Sequence, residues 1–104
     1  MAQHLFNRPD MTNDQTLKEA IEAWIAQYKY RDKFYEGKII NLWDSIVGAM
    51  ISRETEQLYI KNKVLFVKLK SPALKFELEY AKTKLIKSLN KKADHEVITD
   101  IIFL

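Results

Sequence analysis

The sequence contains no cysteine. That excludes disulfides, thiol nucleophiles and thiolate metal centres. It also has only two glycines and two prolines among 104 residues. So few breakers argue against a loop-rich or repeat architecture, and they leave little material for a loop that cradles phosphates. Neither a G-x-S-x-G elbow, nor a P-loop, nor a dinucleotide-binding glycine pattern is present. No apolar run approaches the roughly 20 residues needed to cross a bilayer, and the first residues lack the apolar segment of a signal peptide. A cytoplasmic protein without a membrane partner is the expectation. The two histidines are His4 and His95. His95 stands between Asp94 and Glu96, a poor spacing for metal ligands. Asp44, beside Trp43, reads as a solvated helix residue. With no metal site, no cofactor and no catalytic constellation, an enzyme is not expected.

What the chain does have is a core-forming composition, 47% hydrophobic and 30% charged, at a length suited to one domain. Its net charge of +3 is unevenly spread. Residues 1–60 carry seven Lys/Arg against nine Asp/Glu, a net of −2. Residues 61–92 carry ten lysines against two glutamates, a net of +8, and residues 93–104 carry three acids and no lysine or arginine. Clustering of this kind points to a polyanion more than a modest overall charge does. A lysine-rich helix face that merely keeps the protein in solution is the simpler alternative.

The basic segment opens inside a hairpin. Leu58-Tyr59-Ile60-Lys61 and Val64-Leu65-Phe66-Val67-Lys68-Leu69 read as strands joined by a two-residue Asn62-Lys63 turn. That turn sets Lys61 opposite Val64, Ile60 opposite Leu65, Tyr59 opposite Phe66 and Leu58 opposite Val67. Alternation then gathers Leu58, Ile60, Leu65, Val67 and Leu69 on a core face. Tyr59, Lys61, Phe66, Lys68 and Lys70 fall on the other, aromatic and basic face.

Residues 1–13 show no period and read as a poorly ordered lead-in, with Met11 a candidate alternative start. A first helix opens near Asp14 or Thr16 and carries Leu17, Ala20, Ile21, Trp24, Ile25 and Tyr28 on one stripe. Residues 29–33 read as a short polar connection. A second helix, 34–50, carries Ile39, Trp43, Ile46, Val47 and Met50, and Gly48 near its end suits close packing or termination. Both tryptophans read as core. Residues 52–55 form a link to the hairpin. Ser71-Pro72 signals the cap and first residue of a third helix, with Leu74, Leu78, Ala81, Leu85 and Leu89 on its apolar stripe and Lys84, Lys87 and Lys91 elsewhere. Residues 90–96 read as a polar exit, and 97–104 as a third strand parallel to a hairpin strand. The expected fold is α+β in the order α-α-β-β-α-β: one domain over 14–104, a three-stranded sheet and helices on one face.

Bases of single strands stack on exposed aromatics while lysines neutralise phosphates. The candidate nucleic-acid-binding residues are therefore Tyr59, Lys61, Lys63, Phe66, Lys68, Lys70, Lys84, Lys87 and Lys91. Against this, Tyr59 and Phe66 could serve only to pair with each other or to form a protein interface, and lysines late in a helix also suit its dipole.

Trp43, then Ile46-Val47-Gly48, Ile51 and Thr55, then Leu58-Tyr59-Ile60 and Leu65-Phe66-Val67-Lys68-Leu69, then Ser71 and Leu85-Ile86-x-Ser88-Leu89-Asn90, form a pattern that resembles the bacterial family named for DciA, the replicative-helicase loader. The likeness spans roughly residues 16–104 and is strongest to short, single-domain members from Bacteroidetes-type bacteria. It implies a KH-like domain, a role in DNA replication and the replicative helicase as partner; the polyanion expected from the aromatic and basic residues is single-stranded or tailed DNA, or RNA. A KH domain clamps nucleic acid with a G-x-x-G loop, which this sequence lacks. Longer family members also carry an extension beyond the domain, whereas this sequence stops at Leu104. The alternative function is a protein-interaction or homo-oligomerising module that binds no nucleic acid.

Overall fold

A computed structural model describes residues 14–104, with their side chains from residue 16. The expectations for residues 1–13, including His4 and the start at Met11, lie outside the described residues. Six elements follow one another: α1 (Asp14–Val47), α2 (Ala49–Glu54), β1 (Thr55–Lys61), β2 (Val64–Leu69), α3 (Pro72–Ala93) and β3 (Asp100–Phe103). Their order is the expected α-α-β-β-α-β. The chain divides into two compact units, residues 1–32 and residues 33–104.

The division between the first two helices is not where the sequence reading placed it. Residues 29–33 are helical, and α1 runs 34 residues without a break. Lys29-Tyr30-Arg31-Asp32-Lys33 contains no glycine or proline. Its polarity means that this stretch meets solvent, not that the helix ends, and lysine and arginine are good helix formers. The break falls at Gly48, whose φ of 88° and ψ of 168° lie in a region open essentially to glycine alone. A Cβ at Gly48 would meet nothing within 4 Å. Backbone conformation, rather than close packing, therefore requires the glycine. The expected link at 52–54 belongs to α2, and Met50 is exposed instead of core.

In the unit of residues 1–32, the described part is the first half of α1. Its apolar stripe is formed as expected, but most of its side chains are exposed. Ile21, Ile25 and Tyr28 are exposed, and Trp24, expected in the core, is 67% exposed.

The unit of residues 33–104 is built on the hairpin. Lys61 faces Val64, Ile60 faces Leu65, Tyr59 faces Phe66 and Leu58 faces Val67, all antiparallel. The Asn62-Lys63 turn has positive φ at both residues (52° and 64°), the backbone hand that matches strand twist in a two-residue hairpin. Nothing in a lysine side chain favours that conformation, and the turn is held from outside: the Lys63 carbonyl accepts hydrogen bonds from the Thr99 N–H (2.8 Å) and hydroxyl (3.3 Å). A bulge at the start of β1 sets Thr55 opposite Leu69 and Gln57 opposite Lys68. β3 lies parallel to β2, giving the order β1-β2-β3 with β2 central.

The core lies on one face of this sheet. Leu65, Val67, Leu69, Ile101 and Phe103 meet Leu78, Leu89 and Ala93 of α3, Ile39 and Trp43 of α1, and Val97 and Ile98. Each fully buried large side chain here contributes roughly 1.5–3 kcal/mol. Trp43 is wholly buried, and its indole N–H donates to the Thr55 hydroxyl at 3.1 Å, which in turn donates to the Ile51 carbonyl at 2.8 Å. The polar atom of the largest core residue is thus satisfied, as burial demands.

Both ends of α3 are capped. The Ser71 hydroxyl accepts from the Leu74 N–H and Pro72 follows it, as the sequence signals. At the other end Asp94 takes a left-handed conformation (φ 60°), with the Asp94 N–H donating to Lys91 and the His95 N–H to Asn90. The His95 ring stacks on Tyr35 at 4.3 Å, and the Lys38 ammonium donates to the Ala93 carbonyl. The expected polar exit at 90–96 is consequently shorter, since α3 continues to Ala93. Asn90 is a connector of the core: its carboxamide oxygen accepts from the N–H groups of Val97 and Ile98 (3.0 and 3.1 Å), and its NH₂ donates to the Ile98 carbonyl at 2.8 Å. These bonds take the backbone of Val97 and Ile98 out of the ladder. The third strand therefore starts at Asp100 and not at Val97.

Candidate nucleic-acid interface

Within the unit of residues 33–104, the described helices pack on the apolar face of the sheet. On the opposite face Tyr59 and Phe66 lie on adjacent strands with ring centroids 5.0 Å apart and planes 11° from parallel. Tyr59 is 43% exposed and Phe66 half-buried. The register extends this row to Ile102 on β3, opposite Phe66. Around it, Lys61 and Lys68 project from β1 and β2, Lys63 from the turn, and Lys70 just beyond β2; all four are exposed. Lys68 lies 4.0 Å from Glu56, an exposed contact worth little in energy that nonetheless reduces the local positive charge. The sheet face thus brings together six of the nine predicted residues.

The other three lie elsewhere. Lys84, Lys87 and Lys91 are exposed on α3, which packs against the apolar face of the sheet through Leu78, Leu89 and Ala93. They do not join the Tyr59 and Phe66 face. They continue a second surface that the sequence reading missed. Phe76 is 66% exposed and Tyr80 is 82% exposed, with rings edge-on at 5.7 Å. Phe76, Tyr80, Lys84, Lys87 and Lys91 are spaced four, four, three and four residues apart, so they share one helix face. That spacing was visible in the sequence. What hid it was the stronger leucine stripe of the same helix, beside which two isolated aromatics look incidental. No described ion pair involves these three lysines.

The two surfaces differ in how ready they are to stack a base. On the sheet, each ring already occupies one face of the other. On α3, both rings stand free of the core, and the lysines continue the same line.

No group of three or more metal-ligating side chains occurs among the described residues, and no described helix is long and apolar enough to cross a membrane. An open hollow between α2 and α3 is lined by Met50, Arg53, Glu54, Ser71, Leu74 and Glu77. Its one hydroxyl, that of Ser71, is committed to capping α3. The hollow offers no nucleophile–base pair.

No curated protein and no solved structure is matched by this chain. One family model does match, described as "Dna[CI] antecedent, DciA", over residues 16–103. The residues that carry the resemblance hold up the fold: Trp43 and Thr55 bond each other, Gly48 makes the break between α1 and α2, and Asn90 ties down the connection to β3. The family is associated with helicase loading in DNA replication and is not a known enzyme family. With the match extending from the first turn of α1 to the end of β3, the chain belongs to the DciA family.

Proposed function

We propose that this chain is a non-enzymatic accessory of DNA replication that works beside the replicative helicase and contacts single-stranded DNA. The observation that carries the nucleic-acid part is the line of exposed aromatics and lysines on α3, Phe76, Tyr80, Lys84, Lys87 and Lys91, with the Tyr59 and Phe66 face of the sheet as a second platform. Exposed rings stack bases for about 1–3 kcal/mol each, and lysines supply a salt-dependent phosphate term. In this reading the domain is KH-like but uses no glycine clamp, so contact runs through rings and lysines instead of through a backbone loop.

Titration of fluorescein-labelled single-stranded DNA tests it. Micromolar binding at low salt, weakening steeply as salt rises, is the expected result. Reversing Lys84, Lys87 and Lys91 to Glu should remove most of the binding, and reversing Lys61, Lys68 and Lys70 should remove the rest. No binding at low salt to DNA or RNA would overturn the nucleic-acid reading. One observation favours a second reading, a protein-interaction module: Tyr59 and Phe66 are stacked on each other, a closed arrangement that suits a protein surface as well as a base. Helicase capture that survives reversal of both lysine groups would support it.

A further inference from the structure

The first half of α1 carries a surface that the proposed function does not use. Leu17, Ile21, Trp24 and Tyr28 follow a four-three-four spacing, with Ile25 beside them, so they form one stripe. Ile21 is 48% exposed, Trp24 67%, Ile25 44% and Tyr28 57%. A row of this kind in a soluble protein marks a surface that another body covers. The charges say which body.

Along one edge of the stripe, at four-three-four-three spacing, stand Lys18, Glu22, Ile25, Lys29 and Asp32. Read forwards, the edge is positive, negative, apolar, positive, negative. Read backwards, it is negative, positive, apolar, negative, positive. An identical helix laid antiparallel and centred near Ile25 therefore sets Lys18 beside Asp32 of the second copy and Glu22 beside its Lys29, with each contact occurring twice. The apolar row has the same symmetry: Ile21 falls near Tyr28 of the second copy, and Trp24 near its Ile25. The opposite edge, with Ala20 and Gln27, carries one charge, that of Arg31 near its end. A parallel pair would set this charged edge against that one, where Lys18, Glu22 and Lys29 meet no charge of opposite sign. None of the four charged side chains has an ion-pair partner within the chain among the described residues.

We propose that this half of α1 is a self-association surface that pairs with a second copy of the chain as an antiparallel helix pair centred near Ile25. The geometry is self-complementary, as a two-fold contact requires, and the charged edge sets its direction. The inference is independent of nucleic-acid binding.

Sedimentation equilibrium of the full chain, followed over micromolar to millimolar concentration, tests the association. A concentration-dependent dimer is expected, and Trp24→Glu should leave a monomer with an unchanged far-UV spectrum. Glu22→Lys and Lys29→Glu should each raise the dissociation constant about tenfold, because two exposed pairs turn repulsive at once. The double variant, with the charges exchanged, should restore it. Because the chain has no cysteine, introduced thiols report direction without background. A mixture of Lys18→Cys and Asp32→Cys chains should cross-link to each other on oxidation, while Lys18→Cys alone should not. A monomer at all concentrations, additive rather than compensating charge variants, or self-cross-linking of Lys18→Cys would overturn the proposal. So would a monomer whose helicase binding is lost with Trp24→Glu, which would make the stripe a docking helix for the helicase.

Discussion

The two halves of α1 begin from the same kind of pattern and end differently. Residues 34–47 place Ile39 and Trp43 at helical spacing, and both are wholly buried. Residues 17–28 place Leu17, Ile21, Trp24 and Tyr28 at helical spacing, and Trp24 is two-thirds exposed. One tryptophan has its N–H bonded to Thr55. The other has only a tilted contact with Tyr28, at 6.2 Å, among described ring pairs. Periodicity shows that a stripe is made to be covered. It does not show whether the cover is the same chain or another one.

Exchanging the parts of this comparison should break it in order of size. Trp43→Ala empties the largest buried site and strands the Thr55 hydroxyl's partner position. A loss of about 3–5 kcal/mol is expected, seen as a lower urea midpoint at unchanged slope. Asn90→Ala leaves the N–H groups of Val97 and Ile98 and the Ile98 carbonyl without their partner. It should cost about 1–3 kcal/mol, and hydrogen exchange should speed up at 97–98 before it does elsewhere. Gly37 lies at the start of the covered half, exposed and helical, with nothing within 4 Å of a built Cβ. Gly37→Ala should therefore stabilise by about 0.5–1 kcal/mol in thermal unfolding. Trp24→Ala, the counterpart of the first change, should alter the stability of the dilute monomer by no more than about 0.5 kcal/mol. A large loss there would mean that the stripe is covered within the chain and the comparison fails.

Much of the fold could be read from local rules. The hairpin register followed from the Asn62-Lys63 turn, the start of α3 from Ser71-Pro72, and the core face from strand alternation. Each is decided by residues within a few positions of one another. What escaped was decided elsewhere. Residues 29–33 look like a connection because they are polar, but polarity does not end a helix; the break falls at Gly48, whose φ of 88° suits glycine alone. The third strand looked longer because Val97 and Ile98 are apolar and β-branched. Their backbone is instead held by a side chain on α3, which no pattern around residue 97 reveals. The candidate interface was legible in part. The sheet residues were found from alternation, whereas Phe76 and Tyr80 were passed over because exposure depends on which stripe of α3 the core selects.

The tie between the turn and the last strand bears on how the molecule assembles. Thr99 and Lys63 are 36 positions apart, yet both Thr99 donors close on the Lys63 carbonyl. The hairpin needs only neighbouring residues and can form in microseconds, while the parallel partner of β2 must wait for a long loop to close and for α3 to form within it. Until then the β3-facing edge of β2 stands open, a template for any passing strand. The left-handed lysine of the turn is thus the point where an early, local event meets a late, distant one, and the rate at which that junction closes sets how long the open edge is at risk.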